Sequence, residues 1–238
     1  MEPFNKMTAK VAPMNRVNVD TDAIVPARYL KRIERTGWGE FLFYDWAHDS
    51  NGKLKGDFIL NKPEYKDAKI MVVGENFGSG SSREHAVWAI AQAGYRALVT
   101  SSLADIFHNN CFENGVVPVL VDEETLTIIM EKTETIAGYE LTVDLEAGEI
   151  YDSEGLQAHI GIDQEPEEKD LSSSDQEDSG IYSEFVVHRD KEAHEFRSYT
   201  LQNGFDEIGR TLQKEDKIDA FEAKIRGDAG SKADIDKD

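Results

Sequence analysis

The amino-acid sequence predicts an α/β fold in which a small parallel sheet is flanked by helices and extended by mixed or antiparallel strands. Three observations carry this. Short apolar runs of strand length alternate with helix-compatible stretches through the middle of the chain, and a segment of period-two alternation follows them. The chain's 238 residues, 39% of them hydrophobic and 31% charged, are enough to bury a substantial core in one domain.

The elements follow in order. The opening stretch, MEPFNKMTAKVAPMN, has no long apolar run, so neither a signal peptide nor a membrane span is expected there. Asp20-Thr21-Asp22 precedes the apolar pair Ile24-Val25 and reads as a strand end or loop start. Aspartates in that position commonly cap backbone groups. Lys69–Val73 (KIMVV) is a strand, Ser82–Ala93 a helix and Ala97–Thr100 (ALVT) a second strand, which together make a βαβ unit. Ser102 with Asp105 can cap a helix running to Glu113, Gly115 ends it, and Val116–Val121 (VVPVLV) is a third strand before a helix opened by Asp122. Tyr139–Leu145 (YELTVDL) alternates with period two, and Glu149–Asp163 holds further strand candidates. Lys191–Gln202 is a helix stopped by Asn203-Gly204, and Asp206–Lys224 contains one or two more.

Composition excludes several functions. With 26 Lys+Arg against 47 Asp+Glu the net charge is −21, which opposes sequence-independent binding to nucleic-acid phosphate or anionic lipid. No nucleic acid and no membrane is the expectation. The one cysteine, Cys111, cannot form an intrachain disulfide, and a cytoplasmic location follows as the natural expectation. Asp163–Glu184 carries nine acidic residues against one lysine with little apolar pattern, and reads as a flexible acidic insertion. Gly227–Asp238 reads as a disordered tail, leaving residues 1–226 as one domain.

The most informative stretch is Gly74–Trp88, GENFGSGSSREHAVW, between a strand and a helix. At the carboxyl end of a parallel strand such a turn faces the crevice where ligands bind, and Gly78 and Gly80 allow close backbone approach. The following helix N-terminus and the planar fork of Arg83, placed in its first turn, suit a carboxylate or phosphate. The spacing is neither GxGxxG nor a P-loop, so nucleotides are disfavoured. A structural reading stands beside this one. Ser81 and Glu84 have capping-box spacing, and His85 inside the helix suits a packed residue.

NFGSGSSREHA at Asn76–Ala86 and NVDTDAIVPARYL at Asn18–Leu30 closely resemble the small subunit of 3-isopropylmalate dehydratase. The resemblance extends through RTGWGEFLFYDW at Arg35–Trp46, SSLADIFHNNCFENGVVPV at Ser101–Val119 and LQNGFDEIGRTLQKEDKIDAFEA at Leu201–Ala223. It implies a swivelling β/β/α domain like that of aconitase. It also implies a hydro-lyase activity in leucine biosynthesis, interconverting 2-isopropylmalate and 3-isopropylmalate by loss and return of water. The expected partners are a small diacid substrate and a large subunit, in a heterodimer or larger complex, without which the chain is inactive.

Residue by residue, the resemblance implies that Ser81 is the catalytic base, and that Gly80, Ser82 and Arg83 bind the substrate carboxylate. Asp22 faces the site, and Arg28 or Arg35 supplies a second cation. The loop Asp22–Thr36 is a candidate for contact with the substrate's tail. Relatives commonly read Asp-Trp-Arg where this chain has Asp45-Trp46-Ala47, so that arginine's contact is absent. The family's labile four-iron four-sulfur cluster needs three protein thiolates. One cysteine cannot supply them, so no metal is expected on this chain and the cluster is expected on the large subunit. Cys111 itself suits a small buried residue. Two other readings share the turn: a related diacid hydratase acting on homoaconitate or citraconate-type substrates, and a free-standing anion-binding module.

Overall fold

The computed structural model describes residues 1–161, 196–205 and 207–222. The chain divides into two compact units, Met1–Gly204 and Phe205–Asp238. Among the described residues the first holds seven strands: β1 (Lys6–Met14), β2 (Ile70–Val73), β3 (Ala97–Thr100), β4 (Val117–Leu120), β5 (Glu140–Asp144), β6 (Glu149–Tyr151) and β7 (Gln157–His159). They form one sheet in the order β4-β3-β2-β1-β5-β6-β7. The expected parallel unit is β2, β3 and β4, and the expected antiparallel region is β5, β6 and β7.

No element is evident from the sequence in the first fifteen residues, yet β1 is the middle strand. Its two halves do different work. Lys6–Lys10 pair antiparallel with β5, from Lys6↔Asp144 to Lys10↔Glu140. Val11–Met14 pair parallel with β2, from Val11↔Ile70 to Met14↔Val73. A proline in a central strand normally breaks a ladder. Here the N–H of Val11 donates to the Tyr139 carbonyl (3.0 Å), so the equivalent position two residues on points past the end of β5, where Pro13 has no acceptor to miss.

β2 reads as a continuous apolar run because both of its faces are covered. Met71 and Val73 face one core with α3 (Glu84–Gln92) and with Phe107 and Cys111 of α4 (Asp105–Glu113). Ile70 and Val72 face the other, with Ile129 and Met130 of α5 (Glu123–Thr135) and the inner faces of β5 and β6. Asp122 opens α5 as expected, accepting from the Thr125 N–H and hydroxyl at 2.8 Å each. The expected cap on α4 does not form. Its N-cap is Ala104, with no side-chain bond, and the Ser102 hydroxyl instead accepts the Asn76 N–H at 2.9 Å.

Two short helices, α1 (Thr21–Ile24) and α2 (Tyr44–Ala47), and several 3-10 turns fill the stretch between β1 and β2. Residues 196–203 are helical and end at Gly204, whose φ is +67°. The start expected for that helix at Lys191 lies outside the described residues, as do the acidic segment 163–184 and the tail 227–238. In the second unit Glu207–Leu212 and residues 215–222 are helical. No described helix is long and apolar enough to cross a membrane.

Candidate active site

The loops leaving the carboxyl ends of β1 and β2 lie side by side. Backbone bonds fix their register: the N–H groups of Gly78 and Ser79 donate to the Val19 carbonyl (2.7 and 3.2 Å), and the Thr21 N–H donates to the Ser79 carbonyl (3.0 Å). Gly78 and Gly80 have φ of +80° and +84°. A Cβ on Gly78 would sit 2.1 Å from Cγ of buried Phe107, so this turn is pressed directly onto α4. Gly78 is therefore required by its left-handed backbone and its packing on Phe107, where the sequence suggests the close approach of a ligand.

The three residues of the β1 loop divide their duties. The Asp20 carboxylate caps α1, accepting the Ala23 N–H at 2.7 Å, which is the capping expected of an aspartate there. The hydroxyl of Thr21, which is only 1% exposed, donates to the Ser81 carbonyl at 2.7 Å. Sequence reasoning overlooked Thr21, because a buried threonine between two aspartates carries no motif of its own. Asp22 receives both terminal nitrogens of Arg83, with Nη2 to Oδ2 at 2.9 Å and Nη1 to Oδ1 closer still. This fork-to-fork pair holds the Asp22 carboxyl below the usual carboxylate range.

Arg83 sits differently from the expected first helical turn. It is the N-cap of α3, in extended conformation (φ −142°, ψ 108°), and the helix begins at Glu84. The extended backbone lets its side chain turn towards Asp22 rather than follow the helix. No side chain caps α3, so the capping box suggested by Ser81 and Glu84 does not form. The Ala86 N–H donates to the Arg83 carbonyl (3.2 Å), and the amides of Glu84 and His85, with no side-chain cap, face another acceptor. Ser81 and Ser82 are exposed, and neither hydroxyl has a protein partner among the described residues.

Ser81, Gly80, Ser82, Arg83 and Asp22 are thus gathered in one place. Arg28 and Arg35 make no hydrogen bond or ion pair with that turn among the described residues. Arg28 forms a bidentate pair with Asp45 and lies over the Tyr29 ring at 4.7 Å. Asp45 is held below the usual carboxylate range by it. Arg35 lies over the Trp88 ring at 5.5 Å, and its carbonyl accepts from Gln92 of α3 at 2.7 Å. His85 is packed between Trp38 and Trp88, with both ring centroids 4.6 Å away, and burial lowers its pKa. Cys111 is fully buried in α4, and burial pushes its thiol well up.

Comparison with known proteins gives a consistent picture. The family model of the aconitase C-terminal domain matches residues 1–124, and that of the C-terminal domain of the 3-isopropylmalate dehydratase small subunit matches residues 207–229. The chain is 42% identical over 224 residues to the 3-isopropylmalate dehydratase small subunit of Brevibacillus brevis, covering 94% of this chain and 100% of that one. The small subunit of Bacillus subtilis is also 42% identical over 224 residues, covering 94% and 96%. That of Koribacter versatilis is 50% identical over 163 residues, covering 68% of this chain and 84% of its own. Among solved structures, 3-isopropylmalate dehydratase of Methanocaldococcus jannaschii matches with a TM-score of 0.50 and 26% identity, over 67% of this chain and 84% of that one.

Proposed function

The chain belongs to the 3-isopropylmalate dehydratase small-subunit family, with the aconitase-type swivel fold, and from that premise we propose the chemistry its residues perform. It is the small subunit of a hydro-lyase that interconverts 2-isopropylmalate and 3-isopropylmalate in leucine biosynthesis, working with a large subunit. The observation that supports the site most directly is the Ser79–Arg83 turn, locked against Asp20–Asp22 with the hydroxyls of Ser81 and Ser82 unpartnered among the described residues.

Dehydration needs a group to draw off the hydroxyl and a base for the proton on the neighbouring carbon. Ser81 is that base. Its backbone is fixed through Thr21, its hydroxyl is open to substrate, and the uncapped start of α3 lies just beyond it to favour developing negative charge. Arg83 binds a substrate carboxylate through the N–H groups that Asp22 leaves free, and Gly80 and Ser82 complete the cradle. Asp22 holds the guanidinium in place and keeps it from closing onto Ser81. Arg28, tied to Asp45, meets substrate only if that pair opens.

A four-iron four-sulfur cluster carried by the large subunit would supply the Lewis acid for loss of the hydroxyl. The donor set of this chain supports that division. Its one cysteine is buried with a raised thiol pKa, and no group of three His, Cys, Asp or Glu side chains among the described residues could hold a metal. The soluble complex is a heterodimer or a multiple of one, working in the cytoplasm.

Hydration of the unsaturated isopropylmaleate intermediate, assayed anaerobically with and without a cluster-loaded large subunit, tests this reading. Turnover requires both proteins. Turnover by this chain alone, or a stoichiometric cluster on it, overturns the division of labour. A faster reaction with another unsaturated diacid overturns the substrate.

A further inference from the structure

The loops leaving β1, β2 and β3 are stitched together beside the Ser81 turn by a chain of hydrogen bonds that the reaction itself does not call for. The Asn18 N–H donates to the Glu75 carbonyl (2.9 Å), and Asn76 Nδ2 donates to Asn18 Oδ1 (2.7 Å). The Asn76 N–H donates to the Ser102 hydroxyl (2.9 Å), and the buried Thr100 hydroxyl donates to the carbonyls of Gly74 and Ser102, both at 3.1 Å. Three consecutive loops thereby meet at Asn76, whose side-chain amide reaches Asn18 and whose backbone N–H reaches the Ser102 hydroxyl.

Both asparagines are in the left-handed region, with φ of +53° at Asn18 and +52° at Asn76. A residue other than glycine pays a steric cost there, and such strain persists where surrounding structure over-determines it. If only the backbone shape mattered, glycine would serve better at either position. Asparagine adds a side chain that can bond across the gap between loops. Asn18 lies two residues before Asp20 and four before Asp22, and Asn76 lies five before Ser81. The clasp thus joins the roots of the two segments that carry the site.

We propose that Asn18, Asn76 and Ser102 are positioning residues whose clasp sets the pose in which the β2 loop presents Ser81 and Arg83 to substrate. The inference rests on the functional reading above, since it names what the pose is for. It assigns these residues no contact with substrate. They act through the Gly78–Arg83 backbone, where an error of about 1 Å at the reacting atoms costs on the order of a hundred-fold in rate.

The test contrasts two substitutions at one position. Asn18→Gly relieves the backbone and removes the acceptor, whereas Asn18→Asp keeps an acceptor oxygen and tolerates the left-handed conformation. In the assembled enzyme Asn18→Gly is expected to lower kcat by about ten- to a hundred-fold with KM changed less than about threefold. Asn18→Asp is expected to restore most of it. Asn76→Gly is expected to match Asn18→Gly, and the double glycine variant to be no worse than either, because both remove the same bond. Glycine at position 18 leaving kcat intact overturns the proposal, as does aspartate failing equally, or additive losses in the double variant. Amide hydrogen exchange at Gly78–Ser82 in the isolated chain supplies a readout independent of substrate. Faster exchange in Asn18→Gly is expected, and unchanged exchange overturns the clasp. If the unsubstituted complex does not turn over isopropylmalate, the functional reading fails while the exchange experiment still decides this one.

Discussion

At the scale of single residues, the pair Arg83–Asp22 decides how the site meets an acid. Its two carboxylate bonds fix the guanidinium plane, a task that the point charge of lysine cannot copy. Arg83→Lys is therefore expected to raise KM at least about tenfold with a smaller change in kcat. Ser81→Ala, by contrast, is expected to lower kcat by about a hundred-fold or more. Because its hydroxyl has no partner among the described residues, urea denaturation of Ser81→Ala should stay within about 0.5 kcal/mol of the parent. A normal kcat in that variant removes the base assignment. Asp22 also predicts a pH effect. Arg83 depresses its folded-state pKa, so the pair is intact above the ordinary carboxylate range and is lost only as pH falls through the depressed value. The acid limb of kcat/KM in Asp22→Asn is expected to lack this group's titration. The legible part of the site was its motif residues. Thr21 and Asn18 were not singled out because their side chains act on partners 60 and 58 residues away, which composition and spacing do not display.

At the scale of elements, the turn between β2 and α3 depends on α4 as much as on its own sequence. Gly78→Ala puts a methyl group into the Phe107 ring at a left-handed backbone position, and is expected to cost more than about 2 kcal/mol in urea unfolding. A second structural pin lies across the sheet. The fully buried Asp152 side chain accepts from Lys132 of α5 (2.8 Å), from the Tyr139 hydroxyl, and from the amides of Glu154 and Leu156 (2.8 Å each). Burial pushes its carboxyl up, but the ammonium and the hydrogen bonds outweigh that and hold it below the usual range. Its stabilising contribution is therefore present above the ordinary carboxylate range and lost as pH falls through the lowered value. Asp152→Ala is expected to destabilise by about 3 kcal/mol at neutral pH and to flatten the acid side of the stability curve. β2, β3, β4 and α5 were legible because each has one regime of burial or a clear cap. β1 was not, since Lys6–Lys10 has one partially exposed face while Val11–Met14 is buried throughout, and neither period persists long enough to register.

At the scale of the whole molecule, a net charge of −21 works against compaction. Raising ionic strength from about 10 mM to 0.5 M should therefore raise the melting temperature, and a flat or falling trend would show that local ion pairs dominate instead. Fold class was readable from the alternation of elements, but the sheet's closure through its N-terminal strand was not. Sequence periodicity is local, whereas β1 finds its partners at Ile70–Val73 and Glu140–Asp144. That arrangement has a consequence for the order of events during synthesis. Lys6–Lys10 of this central strand must wait, unpaired, until the chain has been made through Asp144, whereas Val11–Met14 can pair once Ile70–Val73 has been made. Loop closure of this span is slow, so the two halves of the sheet should join in the last phase of folding. Nascent chains arrested after β4 should leave Lys6–Lys10 open to protease, and chains arrested well beyond Asp144 should protect it.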